Sequence, residues 1–76
     1  MEINQFIKNF SEQFDETELS QFTPTTVFKD LDEWSSLMAL SIMAMVDDEY
    51  DVRLKGEDIR NSVSILDLFN IVKSQK

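Results

Sequence analysis

The chain has no cysteine and no histidine, and only one glycine and one proline. Without cysteine there is no disulfide scaffold, no thiolate nucleophile and no iron–sulfur or zinc–thiolate site. Without histidine the commonest general base and the commonest metal ligand are both missing. A single glycine rules out the glycine-rich loops that cradle nucleotide phosphates. Cationic charge is scarce as well: seven Lys and Arg stand against fifteen Asp and Glu, for a net charge of −8. Nucleic acid, which is held by a cationic footprint, is therefore not an expected partner, and an anionic membrane surface repels such a chain. The longest apolar run, Leu37–Val46, is interrupted by Ser41, whereas a bilayer span takes about 20 residues. Residues 1–20 hold no basic segment followed by a continuous apolar stretch. No secretory leader is expected, and the expected setting is soluble and cytoplasmic.

What is present is enough for one small domain spanning residues 1–76, with 42% apolar residues to build its core. A domain of this size hides only roughly 60% of the surface its unfolded chain exposes. From Glu2 to about Phe14, the residues Ile3, Phe6, Ile7, Phe10 and Phe14 recur at helical spacing, with Asn4, Gln5, Lys8, Asn9 and Glu12 outside the stripe. Between Asp15 and Ser35 the periodicity fails. Ser20, Thr23, Pro24, Thr25 and Thr26 favour turns and caps, while Asp15–Leu19 has room for one helical turn. Phe22, Val27, Phe28 and Leu31 are the expected anchors of this long loop.

A second helix is predicted from Ser35 or Ser36 to about Tyr50, opened by a serine cap. Its stripe is Ala39, Ile42, Met43, Val46 and Tyr50, whereas Met38, Ser41 and Met45 share another face. Gly56 suits a turn, and Glu57–Asn61 forms a short third helix carrying Ile59. Ser62 or Ser64 then caps a last helix to about Val72, with Ile65, Leu68, Phe69 and Val72 inward and Leu66 and Ile71 on its flanks. No alternating run suggests a sheet. The expected fold is all-α: a small four-helix bundle, three helices long and one short, with a long first loop.

Catalytic constellations are poor. Asp47, Asp48, Glu49 and Asp51 are the densest carboxylates, but they fall on a solvated helix end where nothing raises a carboxylate pKa. Asp30, Asp32 and Glu33 resemble the start of a calcium loop, yet Ser35 and Ser41 occupy the positions that need glycine and a bidentate glutamate. The acidic cluster also opposes the helix dipole, at about 0.3–1 kcal/mol for each exposed carboxylate. It is either solubilising charge or a docking surface for a basic partner; a divalent-cation site there would predict tight stoichiometric binding. Ser35–Ser36–Leu37 reads either as a cap and its neighbours or as a serine presented for attachment of an anionic group at a helix N-terminus.

The surroundings of that serine carry a resemblance. Phe28-Lys29-Asp30-Leu31-Asp32-Glu33-Trp34-Ser35-Ser36-Leu37, followed by Asp47-Asp48-Glu49-Tyr50-Asp51-Val52-Arg53-Leu54, resembles an acyl carrier protein. In that family a phenylalanine–x–x–leucine stretch leads into D-S-L at the start of the second helix, and an acidic-aromatic segment closes that helix. Length, charge and helix order agree, and the likeness spans essentially the whole chain. The resemblance implies a carrier: 4′-phosphopantetheine from coenzyme A attached to Ser36 by a separate phosphopantetheinyl transferase. The thiol of that arm holds an acyl or aminoacyl group for loading and processing enzymes, so the chain itself is not an enzyme. This would explain the missing cysteine, because the sulfur arrives with the cofactor. A monomer is expected.

The chain departs from the family in reading S-S-L where the family has D-S-L. Met38 and Ser41 also replace residues that are often acidic in fatty-acid carriers, and Met45 extends that face. The expected docking face is therefore Leu37, Met38, Ser41, Met45, Asp47 and Asp48, partly apolar because methionine adapts to partners; the opposite expectation is that the first loop covers the two methionines. Trp34 resembles the tryptophan of stand-alone carriers with W-D-S-L. Phe6, Met43, Val46, Ile59 and Phe69 are expected to face inward, where they would shelter an acyl chain. The alternative to a carrier is an unmodified acidic helical interaction module.

Overall fold

The computed structural model describes residues 2–76, and its four helices are α1 (Ile3–Ser11), α2 (Ser36–Tyr50), α3 (Gly56–Asn61) and α4 (Ile65–Gln75). No strand occurs among the described residues, and no helix there is long and apolar enough to cross a membrane. α1 packs against α2 and α4, and α3 against α4. The all-α four-helix expectation is met.

The stripe of α1 buries Phe6, Ile7 and Phe10, with Ile3 at its edge. The helix stops at Ser11, earlier than predicted, where the Ser11 hydroxyl turns back to the Lys8 carbonyl at 2.7 Å. Tight turn bonds from the N–H groups of Gln13 and Phe14 to Phe10 O and Ser11 O carry the chain on, so Phe14 still enters the core. Asn9, expected outside the stripe, is buried. Its amide donates to the Tyr50 hydroxyl at 3.0 Å and accepts from Gln5 Nε2 at 3.0 Å. A buried amide is tolerated when its hydrogen bonds are made.

The core is strongly aromatic. Phe6 meets Phe69 of α4 edge-on at 5.4 Å and Tyr50 of α2 at 5.6 Å. Phe10 meets Phe14 at 5.6 Å, Phe22 at 6.1 Å and Phe28 at 5.5 Å, and Phe28 meets Trp34 at 4.9 Å. Such stacked, tilted and edge-on pairs add about 0.5–1.5 kcal/mol each beyond the area they bury.

The long loop is built from turns and bends. It contains 3-10 turns at Leu19–Gln21 and Phe28–Asp30 rather than a helical turn at Asp15–Leu19. Phe22 and Phe28 are fully or nearly buried and Leu31 packs against the core, but Val27 is exposed. The backbone beside Val27 is committed elsewhere: Thr26 O accepts from Ile65 N at 3.1 Å and Pro24 O from Leu66 N at 2.9 Å. These bonds satisfy the first donors of α4, which have no acceptor within the helix. Glu33 ties the two ends of the loop together, accepting from the backbone N–H of Asp15 and Glu16 at 3.1 and 2.8 Å and from the Thr17 hydroxyl at 2.6 Å.

After α2, Val52 and Leu54 are buried while Asp51, Arg53 and Lys55 are exposed. This two-residue alternation makes an extended connection, not a strand. Gly56, expected in a turn, is the first residue of α3, where the Asp58 carboxylate accepts from Lys55 N at 2.9 Å. Ser64 caps α4 through Asp67 N at 3.2 Å, and Asp67 returns the bond to Ser64 N at 3.1 Å. Ser62 does not cap α4: it closes α3, is fully buried, and its hydroxyl donates to Asp58 O at 2.8 Å. α4 runs to Gln75, beyond the predicted Val72, and Lys76 Nζ donates to the Tyr50 carbonyl at 3.3 Å.

The Glu33 contacts give the loop a pH dependence. The Thr17 hydroxyl first, opposed by burial and aided by the backbone donors, holds the Glu33 carboxyl below its ordinary value of 4.5. Because the folded pKa is depressed, the stabilisation is complete above that ordinary value and is lost as pH falls through the folded one. Glu33→Gln is expected to lower the melting temperature at pH 7, and the gap to the unmodified protein should narrow progressively as pH falls below 4.5. A gap independent of pH in circular-dichroism melts would exclude this role.

Candidate functional site

Ser35 and Ser36 have different local roles. Ser35 is the N-cap of α2, in extended backbone, and its hydroxyl oxygen accepts from Met38 N at 3.1 Å. Ser36 is the first helical residue and is exposed. The buried residues of α2 share one face at helical spacing, but apolar residues also lie outside that face. Ile42, Met45, Val46 and Tyr50 are buried, whereas Ala39 and Met43 are only half-buried.

The expected docking residues are only partly brought together. Leu37 and Ser41 are exposed, as are Asp47 and Asp48 one to three turns further on. Met45 is not on that face: it is 6% exposed, covered from the α1 side where Asn9, Glu12 and Gln13 line the same cleft. Met38 is half-buried against the core. The apolar character of the outer face comes instead from Leu37 and Leu40, 76% and 60% exposed. Leu40 is not among the residues expected on this face, although it lies one helical turn from both Ser36 and Leu37. The pair belongs to neither of the two faces that the helical spacing of α2 defines, and that is the available signal.

Two concavities flank α2. Between α2 and α3 lies an open groove of about 690 Å³, and Ser36 is part of its lining. Its apolar walls are Trp34, Ala39, Leu40, Met43 and Ile59; its charged residues are Lys29 and Arg60. Met43, expected in the core, is half-buried in this wall. Lys29 Nζ donates to the Arg60 carbonyl at 2.9 Å and lies 5.8 Å from the Phe28 ring centroid. Between α1 and α2 lies a smaller cleft of about 270 Å³, whose charged residues are Glu12, Asp48 and Glu49.

At the other end of α2, burial is the main influence holding the Tyr50 hydroxyl above its ordinary pKa, with the bond from Asn9 acting against it. Asp51 then closes the helix in the left-handed region, at φ 56 and ψ 39, donating its N–H to Asp47 O at 3.0 Å. Among the described residues no three acidic side chains are placed so as to hold a metal ion. Ser36 thus presents an exposed hydroxyl at a helix start, bordering a groove with apolar walls and two cationic lining residues. Comparison with protein families, curated proteins and solved structures finds no match in any of the three.

Asp51 offers a direct test of the helix end. A residue with a Cβ in the left-handed region costs about 1 kcal/mol, and a carboxylate there also opposes the dipole. Asp51→Gly is expected to raise stability by about 0.5–1 kcal/mol in urea unfolding, with Asp51→Asn between the two. A destabilised glycine variant would contradict the assigned geometry.

Proposed function

We propose that the chain is an acyl-carrier-type domain that bears 4′-phosphopantetheine on Ser36. The observation carrying this reading is the division of labour between the adjacent serines. Ser35 spends its oxygen on the cap, while Ser36 stands exposed at the start of α2 on the border of the groove. The likeness of Phe28–Leu54 to acyl carrier proteins and the cysteine-free composition support it independently. When bound, the group supplies a thiol on a long arm that holds acyl or aminoacyl cargo as a thioester.

The chain's own residues then present and orient. The first turn of α2 has N–H groups without acceptors inside the helix, and the positive end of the dipole favours an anion attached at Ser36. Leu37 and Leu40 give an apolar centre for partners, and Asp47 and Asp48 give it an acidic end. Apolar contact at the centre and charge at the rim suit recognition by basic enzymes. The partners are a phosphopantetheinyl transferase and cargo-loading and cargo-processing enzymes, in a cytoplasmic setting; the bond-making is theirs.

Incubation with coenzyme A and a broad-specificity transferase is expected to add the mass of one phosphopantetheinyl group. Ser36→Ala should abolish the gain. Ser35→Ala should keep it while losing about 1 kcal/mol of stability with its cap. No gain with several transferases would leave the unmodified interaction module as the better account, and a gain lost only in Ser35→Ala would move the site. Charge reversal at Asp47 and Asp48 is expected to slow loading roughly tenfold at low ionic strength, with the difference shrinking as salt screens it. Loading rates equal to those of the unmodified protein would remove the acidic end from the docking surface.

A further inference from the structure

The two concavities beside α2 differ in charge. The α2–α3 groove has cations as its only charged lining residues, Lys29 and Arg60, whereas the α1–α2 cleft has only carboxylates, Glu12, Asp48 and Glu49. In a chain with fifteen acidic and seven basic residues, this separation gives α2 an electrostatic left and right. Ser36 borders the cationic side.

Both cations are placed by the fold. One donor of the Lys29 ammonium is committed to the carbonyl of Arg60 at 2.9 Å, which fixes the head group at the end of α3. An ammonium has three donors, so two are left for an anion. The Arg60 side chain lies back along α3 toward Gly56, where Nη1 would stand 3.6 Å from a Cβ added at that glycine. The guanidinium therefore runs along the groove wall.

We propose that Lys29 and Arg60 are positioning residues for the arm. They attract its phosphodiester to the α3 side of α2 and lay its methyl-bearing first segment against Leu40, Met43 and Ile59. The inference rests on the carrier reading of Ser36. It adds a direction: the arm lies in the α2–α3 groove and is kept out of the α1–α2 cleft by like charge. Attraction across a wet groove is screened by salt, so the arm is held loosely and is released as ionic strength rises.

Loading is first checked by intact mass, driven to completion for each variant. Absence of a mass gain in the unmodified protein would remove the carrier reading, and this proposal with it. Once the protein is loaded, NMR compares the apo and loaded forms. The expected result is shifts of the Leu40, Met43 and Ile59 methyls, and a phosphorus resonance displaced from that of the same phosphodiester in the loaded protein unfolded in urea. Those shifts should fall at least about twofold in Lys29→Ala/Arg60→Ala and be restored by Lys29→Arg with Arg60 intact. Amide spectra of the apo variants establish that they are folded. Independently of any variant, the same shifts in the unmodified protein should shrink between about 0.01 and 1 M salt, over which the Debye length falls from about 30 to 3 Å. Shifts centred on Ser41, Ala44 and Met45, shifts insensitive to both cations and salt, or no shifts at all would overturn the proposal.

Discussion

Phe10 is the side chain on which the rest of the structure depends. Its ring touches those of Phe6, Phe14, Phe22 and Phe28, joining its own helix to both halves of the loop. Phe6 continues the contact to Tyr50 and Phe69, and Phe28 continues it to Trp34. The six phenylalanines, the tryptophan and the tyrosine of the chain thus form one connected set of rings. A domain this small buries a modest fraction of its surface, and large rings give the most burial for each residue ordered. The set ends at Trp34, immediately before the two serines, so the position of the site follows from the packing of α1.

Polar contacts define what the rings leave loose. Loops of this length are uncommon in compact domains unless something organises them. Here Glu33 gathers the backbone of Asp15 and Glu16, while the carbonyls of Pro24 and Thr26 complete the start of α4. The Thr26 hydroxyl also accepts from Thr23 N at 2.8 Å and donates to Gln21 O at 2.8 Å. The loop is a structural wall of the bundle, and Lys29 extends that wall to α3.

Legibility in the sequence followed the locality of the cause. The stripes of α1 and α4 could be read because each helix turns one face inward, and helical spacing records that directly. The cap of α4 could be narrowed to Ser62 or Ser64; the carboxylate at Asp67, three residues after Ser64, is what decides between them. α2 was harder. It carries exposed Leu37 and Leu40 as well as its buried face, so apolar residues run nearly all round it, and periodicity alone places Met45 outside and Met43 inside when the structure has the reverse tendency. Asn9 was misread because its partner, Tyr50, lies in another helix. The left-handed turn at Asp51 has no signature when the residue is not glycine. Lys29 and Arg60 meet only through the folded groove, and no spacing rule brings them together.

The contact between Phe28 and Trp34 has an optical consequence. Trp34 is the only indole in the chain; it sits at one end of the ring network and in the wall of the groove beside Ser36. Its fluorescence is therefore governed by two neighbourhoods at once, the aromatic interior and whatever occupies the groove. The molecule has an intrinsic reporter placed where folding and occupancy converge.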